Sequence, residues 1–174
     1  MSVSLSFPAD LHAELLAHLR QTQVEQVAFL FTAPPVRDEP LRVAELYRVP
    51  PGGFDLQSAY HVTLADDIRG HVIGRAWQLG GCLVEAHSHG GGHPASFSGS
   101  DMFGLEEWVP HVRWRLRGRT YVALVLADDS FDALVWEEGR DGPGPLAGVN
   151  VDGSGMLRPT GMTYSRLSKA RRDR

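Results

Sequence analysis

The chain has 174 residues, 43% of them hydrophobic, which suits a single domain with a real core and argues against disorder as its main state. No apolar run approaches the roughly 20 residues that cross a bilayer, so no membrane span is expected. The net charge of −4 is uneven: the closing RLSKARRDR holds five basic residues against one aspartate, +4 in all, and leaves −8 on the rest.

That basic tail reads as a solvated terminus, with an acidic partner or nucleic acid as the alternative. The lone Cys82 forms no internal disulfide and is expected to pack in the core, in agreement with a reducing cytoplasm. The opening MSVSLSFPADLH lacks a basic start followed by an apolar core, so no secretion signal is expected and a cytoplasmic location is.

In chain order, PADLHAELLAHLRQ (8–21) places Leu11, Leu15, Leu16 and Leu19 on one helical face, with Pro8 and Asp10 at its start. VEQVAFLFTA then reads as a buried strand, and LRVAELYRVP beyond the turn PPVRDEP as its antiparallel neighbour. PPGGFDLQ reads as loop and SAYHVT as a short edge strand. From Leu64 to Leu79, Ile68, Val72, Ala76 and Leu79 recur at helical spacing, with Thr63 a candidate N-cap and Gly80-Gly81 the stop. CLVEAHSH is a strand running into glycine, and SGSDMFGLEEWV a helix starting near Ser98 or Ser100. Pro110 is placed to begin a further helical turn through HVRWRLRG. TYVALVLADDSFDALVWEE makes two strands around Asp-Asp-Ser. Beyond Glu138 glycine and proline accumulate, with one hairpin around VNVDGSGMLRPT. The expectation is an α/β domain over 1–138, a mixed central sheet flanked by helices, and a loosely structured extension over 139–174.

The chemistry concentrates in VEAHSHGGGHPASFSGSD, residues 84–101. Strand positions two apart face the same side, so His87 and His89 project together where the strand ends. The glycines let the backbone turn back, and Asp101 arrives on the first turn of the next helix. Two imidazoles and a carboxylate are three ligands of the kind a catalytic zinc takes, with a fourth position left open. His93 reads as an exposed loop residue, and His12, His18, His61, His71 and His111 show no ligand spacing. Trp77, Trp108, Trp114 and Trp136 read as packing residues, Trp108 standing out because its helix begins at Asp101. The arginines of HVRWRLRGR read as helix-face charges rather than a nucleic-acid surface.

His87-Ser88-His89, the spacer GGGHPASF and Ser98-Gly99-Ser100-Asp101 together resemble the signature of the JAMM (MPN-plus) zinc metalloproteases. The order of elements over roughly residues 5–137 is similar too. Two departures stand out: the spacer has eight residues where the family has about seven, and Gly90 occupies a usual proline position. The resemblance implies a single MPN-like domain, Zn2+ held by His87, His89 and Asp101, and Glu25 as the proton shuttle. Glu85 is the substitute should Glu25 be remote from the site, since it shares a strand face with the histidines. Ser98 is implied as a donor to the oxyanion, its other reading being a helix cap.

The resemblance further implies a peptidase or isopeptidase acting after the C-terminus of a ubiquitin-like protein. The setting is deconjugation or maturation in a bacterial ubiquitin-like system, some of which serve antiviral defence. Activating- and conjugating-enzyme-like proteins are the implied partners; membrane and nucleic acid are not expected. Trimming of a sulfur-carrier protein, hydrolysis of a small amide and a metal-free scaffold are the alternatives.

Overall fold

Long apolar stretches shape this molecule. The computed structural model describes residues 2–59 and 61–173, so Met1, Tyr60 of the expected edge strand and Arg174 of the basic tail lie outside the described residues. In chain order the elements are β1 (Leu5–Phe7), α1 (Ala9–Leu19), β2 (Val27–Thr32), β3 (Leu41–Arg48), β4 (Phe54–Gln57), β5 (Val62–Leu64), α2 (Asp66–Leu79), β6 (Leu83–Ser88), α3 (Gly99–Arg115), β7 (Tyr121–Leu126), β8 (Phe131–Trp136), β9 (Gly144–Pro145), β10 (Val149–Val151), β11 (Gly155–Leu157) and α4 (Met162–Arg172). Nine strands form one mixed sheet in the order β11-β10-β1-β3-β2-β6-β7-β8-β9, while β4 and β5 pair as a separate hairpin. The architecture is α/β, as expected. Among the described residues no helix is long and apolar enough to cross a membrane.

The central strands are buried on both faces, which is why they read as continuous apolar runs rather than as alternation. In β2, Val27, Phe29 and Phe31 face one side while Ala28 and Leu30 face the other. Tyr121, Ala123 and Val125 of β7 join the first side, and Val122, Leu124 and Leu126 the second. On the first side lie α2, through Ile68, Val72, Ile73 and Ala76, and α3, through Leu105, Val109 and Val112. On the second lies α1, through Leu15 and Leu19, packed with Leu5, Phe7, Val149 and Val151. Each fully buried Val, Leu, Ile or Phe among them contributes roughly 1.5–3 kcal/mol, so much of the fold's strength sits in β2, β7 and the helix faces packed on them.

Some boundaries depart from the sequence pattern. Helix α2 begins at Asp66, after Ala65, and Thr63 lies in β5 instead of capping it. Its end is as expected, with Gly80 in the left-handed region at φ 69°. Helix α3 runs unbroken through Pro110. The proline costs the Glu106 carbonyl its helical partner, but Glu106 is exposed, where water can replace it. The arginines after α3 are used internally: Arg119 donates to the Ala76 and Gly81 carbonyls at 3.2 and 3.0 Å, at the C-terminal end of α2, and Arg117 and Arg119 lie over the Trp77 ring.

The stretch expected to be loose is built into the fold between Gly144 and Arg172. Strand β10 runs parallel to β1 with Val149 opposite Leu5, β11 closes the expected hairpin, and β9 extends the sheet beyond β8. Helix α4 has no side-chain cap of its own. The fully buried Asp132 of β8 supplies one, taking the Gly161 and Thr163 N–H groups at 3.0 and 2.9 Å as well as that of Ala133 at 2.9 Å. Strands of two or three residues carry no readable period, so apart from its hairpin composition alone left this stretch loose. Asp132→Ala orphans buried donors and is expected to cost about 3 kcal/mol, read as a lower urea midpoint at unchanged slope.

Candidate metal centre

Antiparallel register builds the site. Val27 of β2 pairs with His87 of β6. The ladder continues one step, with Ser88 donating its N–H to the Gln26 carbonyl at 3.0 Å and accepting the Gln26 N–H on Oγ at 2.9 Å. Continued one step further, this pairing sets Glu25 opposite His89. The middle residue of His-Ser-His thus locks the strand ends together while its neighbours turn to the α2–α3 side. The Glu25 backbone is held from the hairpin as well: its N–H donates to Ser58 O at 2.9 Å and its carbonyl accepts from Gln57 Nε2 at 2.9 Å. His89 is fixed by its own N–H, which donates to the Leu126 carbonyl at the end of β7 at 2.7 Å.

The side chains then converge. His87 Nε2 and His89 Nε2 face each other at 3.2 Å. Asp101 Oδ1 lies 3.5 Å from His87 Nε2, and Oδ2 lies 3.1 Å from His89 Nε2. One ligand atom from each residue falls within 4.8 Å of the others, so the trio can hold a metal ion. Two imidazole nitrogens aimed at one point beside a carboxylate suit a divalent transition metal better than calcium or magnesium. Glu25 Oε1 stands 3.7 Å from His89 Nε2, with the residue 6% exposed.

Asp101 is positioned by a capping box. Ser98, the N-cap of α3, accepts the Asp101 N–H on Oγ at 3.1 Å, and Asp101 Oδ2 accepts the Ser98 N–H at 2.6 Å. The cap reading of Ser98 is therefore realised. Its hydroxyl spends a lone pair on the cap and keeps its proton for another acceptor.

Burial and charge oppose one another throughout. Burial would raise the Asp101 carboxyl, but hydrogen bonds from His87 and His89 outweigh it and hold that group well below the usual range. For His87 burial acts downward, and the Asp101 carboxylate overcomes it to leave the imidazole raised. Glu25 is raised chiefly by burial, with His87 and His89 pulling the other way.

Glu85, the other candidate carboxylate, has a different setting. Its Oε2 accepts the Tyr121 hydroxyl at 2.5 Å, and that hydroxyl accepts Trp108 Nε1 at 2.9 Å. Burial pushes both Glu85 and Tyr121 upward. Glu85 lies in the wall of a groove of about 320 Å3 that opens from His87 and Asp101 between the β4–β5 hairpin and α3. His61, without ligand spacing in the sequence, also lines this groove and meets Ser100 Oγ through Nδ1 at 3.1 Å. No sequence signal marks it, because the hairpin carries it there. His93 is exposed in the glycine loop. His12 packs on Phe7, His18 meets the Val27 carbonyl, His71 packs on Tyr47 and His111 on Trp108.

No protein-family model matches the chain, and no curated protein matches it. A solution structure of a protein from Desulfitobacterium hafniense aligns with a TM-score of 0.55 at 19% identity, over 84% of this chain and 92% of that one. Another, from Salinibacter ruber, aligns with a TM-score of 0.48 at 23% identity, over 88% and 96%. The first likeness is one of fold.

The converging donors lead to an expected uptake of one divalent ion per chain, counted by elemental analysis after metal loading and dialysis. His87→Ala and Asp101→Ala are each expected to abolish that uptake, and His93→Ala to leave it unchanged.

Proposed function

We propose that this protein is a zinc-dependent peptidase or isopeptidase of the JAMM type, cutting the bond that follows the C-terminus of a ubiquitin-like protein. The observation that carries the reading is the Glu25 carboxylate, 3.7 Å from His89 at the edge of the His87–His89–Asp101 group. Donors bound at about 2.0–2.1 Å around a tetrahedral zinc stand roughly 3.3 Å apart. The 3.2 Å between the His87 and His89 nitrogens fits that figure, and Asp101 brings one oxygen to 3.1 Å from His89 and the other to 3.5 Å from His87. In this reading the fold is MPN-like.

When bound, zinc supplies Lewis acidity that makes water a competent nucleophile near neutral pH. The chain supplies the rest. Glu25 accepts a proton at Oε1 as the amide carbonyl is attacked, and returns it to the departing amine. Ser98, capped through its lone pair, donates its free O–H to the oxygen on which negative charge develops. Glu85, bound by Tyr121, shapes the groove wall instead.

The groove supports a slender, extended substrate. Strand β5 lines it and pairs only with β4 among the described residues. An extended tail laid along β5 gains backbone hydrogen bonds, and glycines at the cleavage point pass between the hairpin and α3 without side-chain obstruction. Such a tail is what ubiquitin-like modifiers and sulfur-carrier proteins share, and activating- and conjugating-enzyme-like proteins are the corresponding partners.

The test separates proton transfer from coordination. Glu25→Gln is expected to keep its zinc yet lose cleavage by at least about a hundredfold, as general acid–base groups contribute 10²–10⁴. Cleavage is read by mass spectrometry as release of an extension fused to a ubiquitin-like protein. Full activity in Glu25→Gln, or loss of its zinc, refutes the assigned role.

A further inference from the structure

We propose that the C-terminal helix α4 sets the metal affinity of the centre, acting through Phe97, with Arg166 and Thr163 as positioning residues. The inference rests on the metal-binding reading of His87, His89 and Asp101 and deepens it by making the chain's last element part of the site.

The segment between the histidines and Asp101 has little to hold it by itself. It begins Gly90-Gly91-Gly92, with Gly91 and Gly92 at φ 102° and 66°, and residues 90–94 are exposed. Glycines carry the largest conformational entropy of any residue, so an unrestrained loop of this kind would deliver Asp101 to many positions. The restraint comes from sequence-distant groups. Ala95 donates its N–H to Ser130 Oγ at 2.8 Å, and its carbonyl accepts the Thr160 hydroxyl at 2.8 Å. Phe97 is gripped on both sides of its backbone by α4: its N–H donates to Thr163 Oγ1 at 2.9 Å, and its carbonyl accepts from Arg166 Nη2 at 2.6 Å.

Phe97 touches the centre in two ways. Its ring is fully buried and packs edge-on against the His87 imidazole, with centroids 5.7 Å apart at 67°. The next peptide, Ser98 N–H, donates to Asp101 Oδ2. One residue thus transmits the position of α4 both to a histidine ligand and to the carboxylate ligand. Asp132 in turn fixes the start of α4 against the sheet. A donor set held in place by its neighbours binds a metal more tightly than one that must first be ordered; partners bonded directly to the ligands typically change affinity by about 10–100-fold, and α4 acts one contact beyond them.

Zinc affinity is measured by competition with a chromophoric chelator, and ligand geometry by the visible spectrum of the Co2+-loaded protein. Arg166 is exposed, so Arg166→Ala should fold. It is expected to bind zinc more weakly by up to about tenfold, with a shifted cobalt spectrum. Arg166→Lys, which keeps a donor for the Phe97 carbonyl, should recover most of the loss, and Arg172→Ala, which removes the same charge farther along the helix, should show none. Thr163→Val should weaken binding as Arg166→Ala does, and Thr163→Ser should not. A purely structural role would lower the melting temperature of the metal-free protein and leave affinity and spectrum alone. Unchanged affinity and spectrum in Arg166→Ala, with the wild type loaded, overturns the role of α4 alone. A wild type that takes up no metal overturns the centre as well.

Discussion

The Asp101 carboxylate is the constraint on which this structure turns. Its Oδ2 takes the Ser98 N–H to lock the first turn of α3 and also faces His89, while Oδ1 faces His87. Helix start and candidate metal donors therefore share one group, so neither can shift without disturbing the other. The two imidazoles compensate the carboxylate for the water it has lost, which keeps a partly buried anion charged.

Around that group the sheet does the positioning. The antiparallel ladder of β2 and β6 continues past its last formal pair through Gln26 and Ser88, and this brings Glu25 to His89. The hairpin of β4 and β5 closes on Glu25 from the other side, and carries His61 to the groove. The far end of the chain adds the final restraint, because Asp132, Thr163 and Arg166 join the sheet, α4 and the loop before Ser98. The glycine loop can be flexible in composition because it is restrained from outside.

Much of this was legible in the residues, and the parts that were not have physical reasons. The central strands announced themselves because burial on both faces leaves long apolar runs, as in VAFLFT and YVALVL. Strand β1 and α4 did not: three residues show no period, and α4 is polar along most of its length, with Thr163 its buried residue. The S-x-x-D spacing of Ser98 and Asp101 pointed to a helix start, and the capping box is there. Glu25 and Glu85 could not be separated by spacing. Packing distinguished their settings, giving Glu85 the Tyr121 hydroxyl and leaving Glu25 beside His89.

By itself, the sequence determined which three residues make the candidate donor group, the strand–loop–helix frame that carries it and the layered class of the fold. All of these rest on local periodicity and on residues close together in the chain. Only the tertiary structure decided which carboxylate stands beside the histidines, that His61 lines the groove and that α4 grips Phe97. Those are contacts between segments distant along the chain, such as Phe97 with Thr163 and Arg166, 66 and 69 positions apart. They exist because strand register and buried polar groups bring the segments together, and no short pattern of residues encodes them.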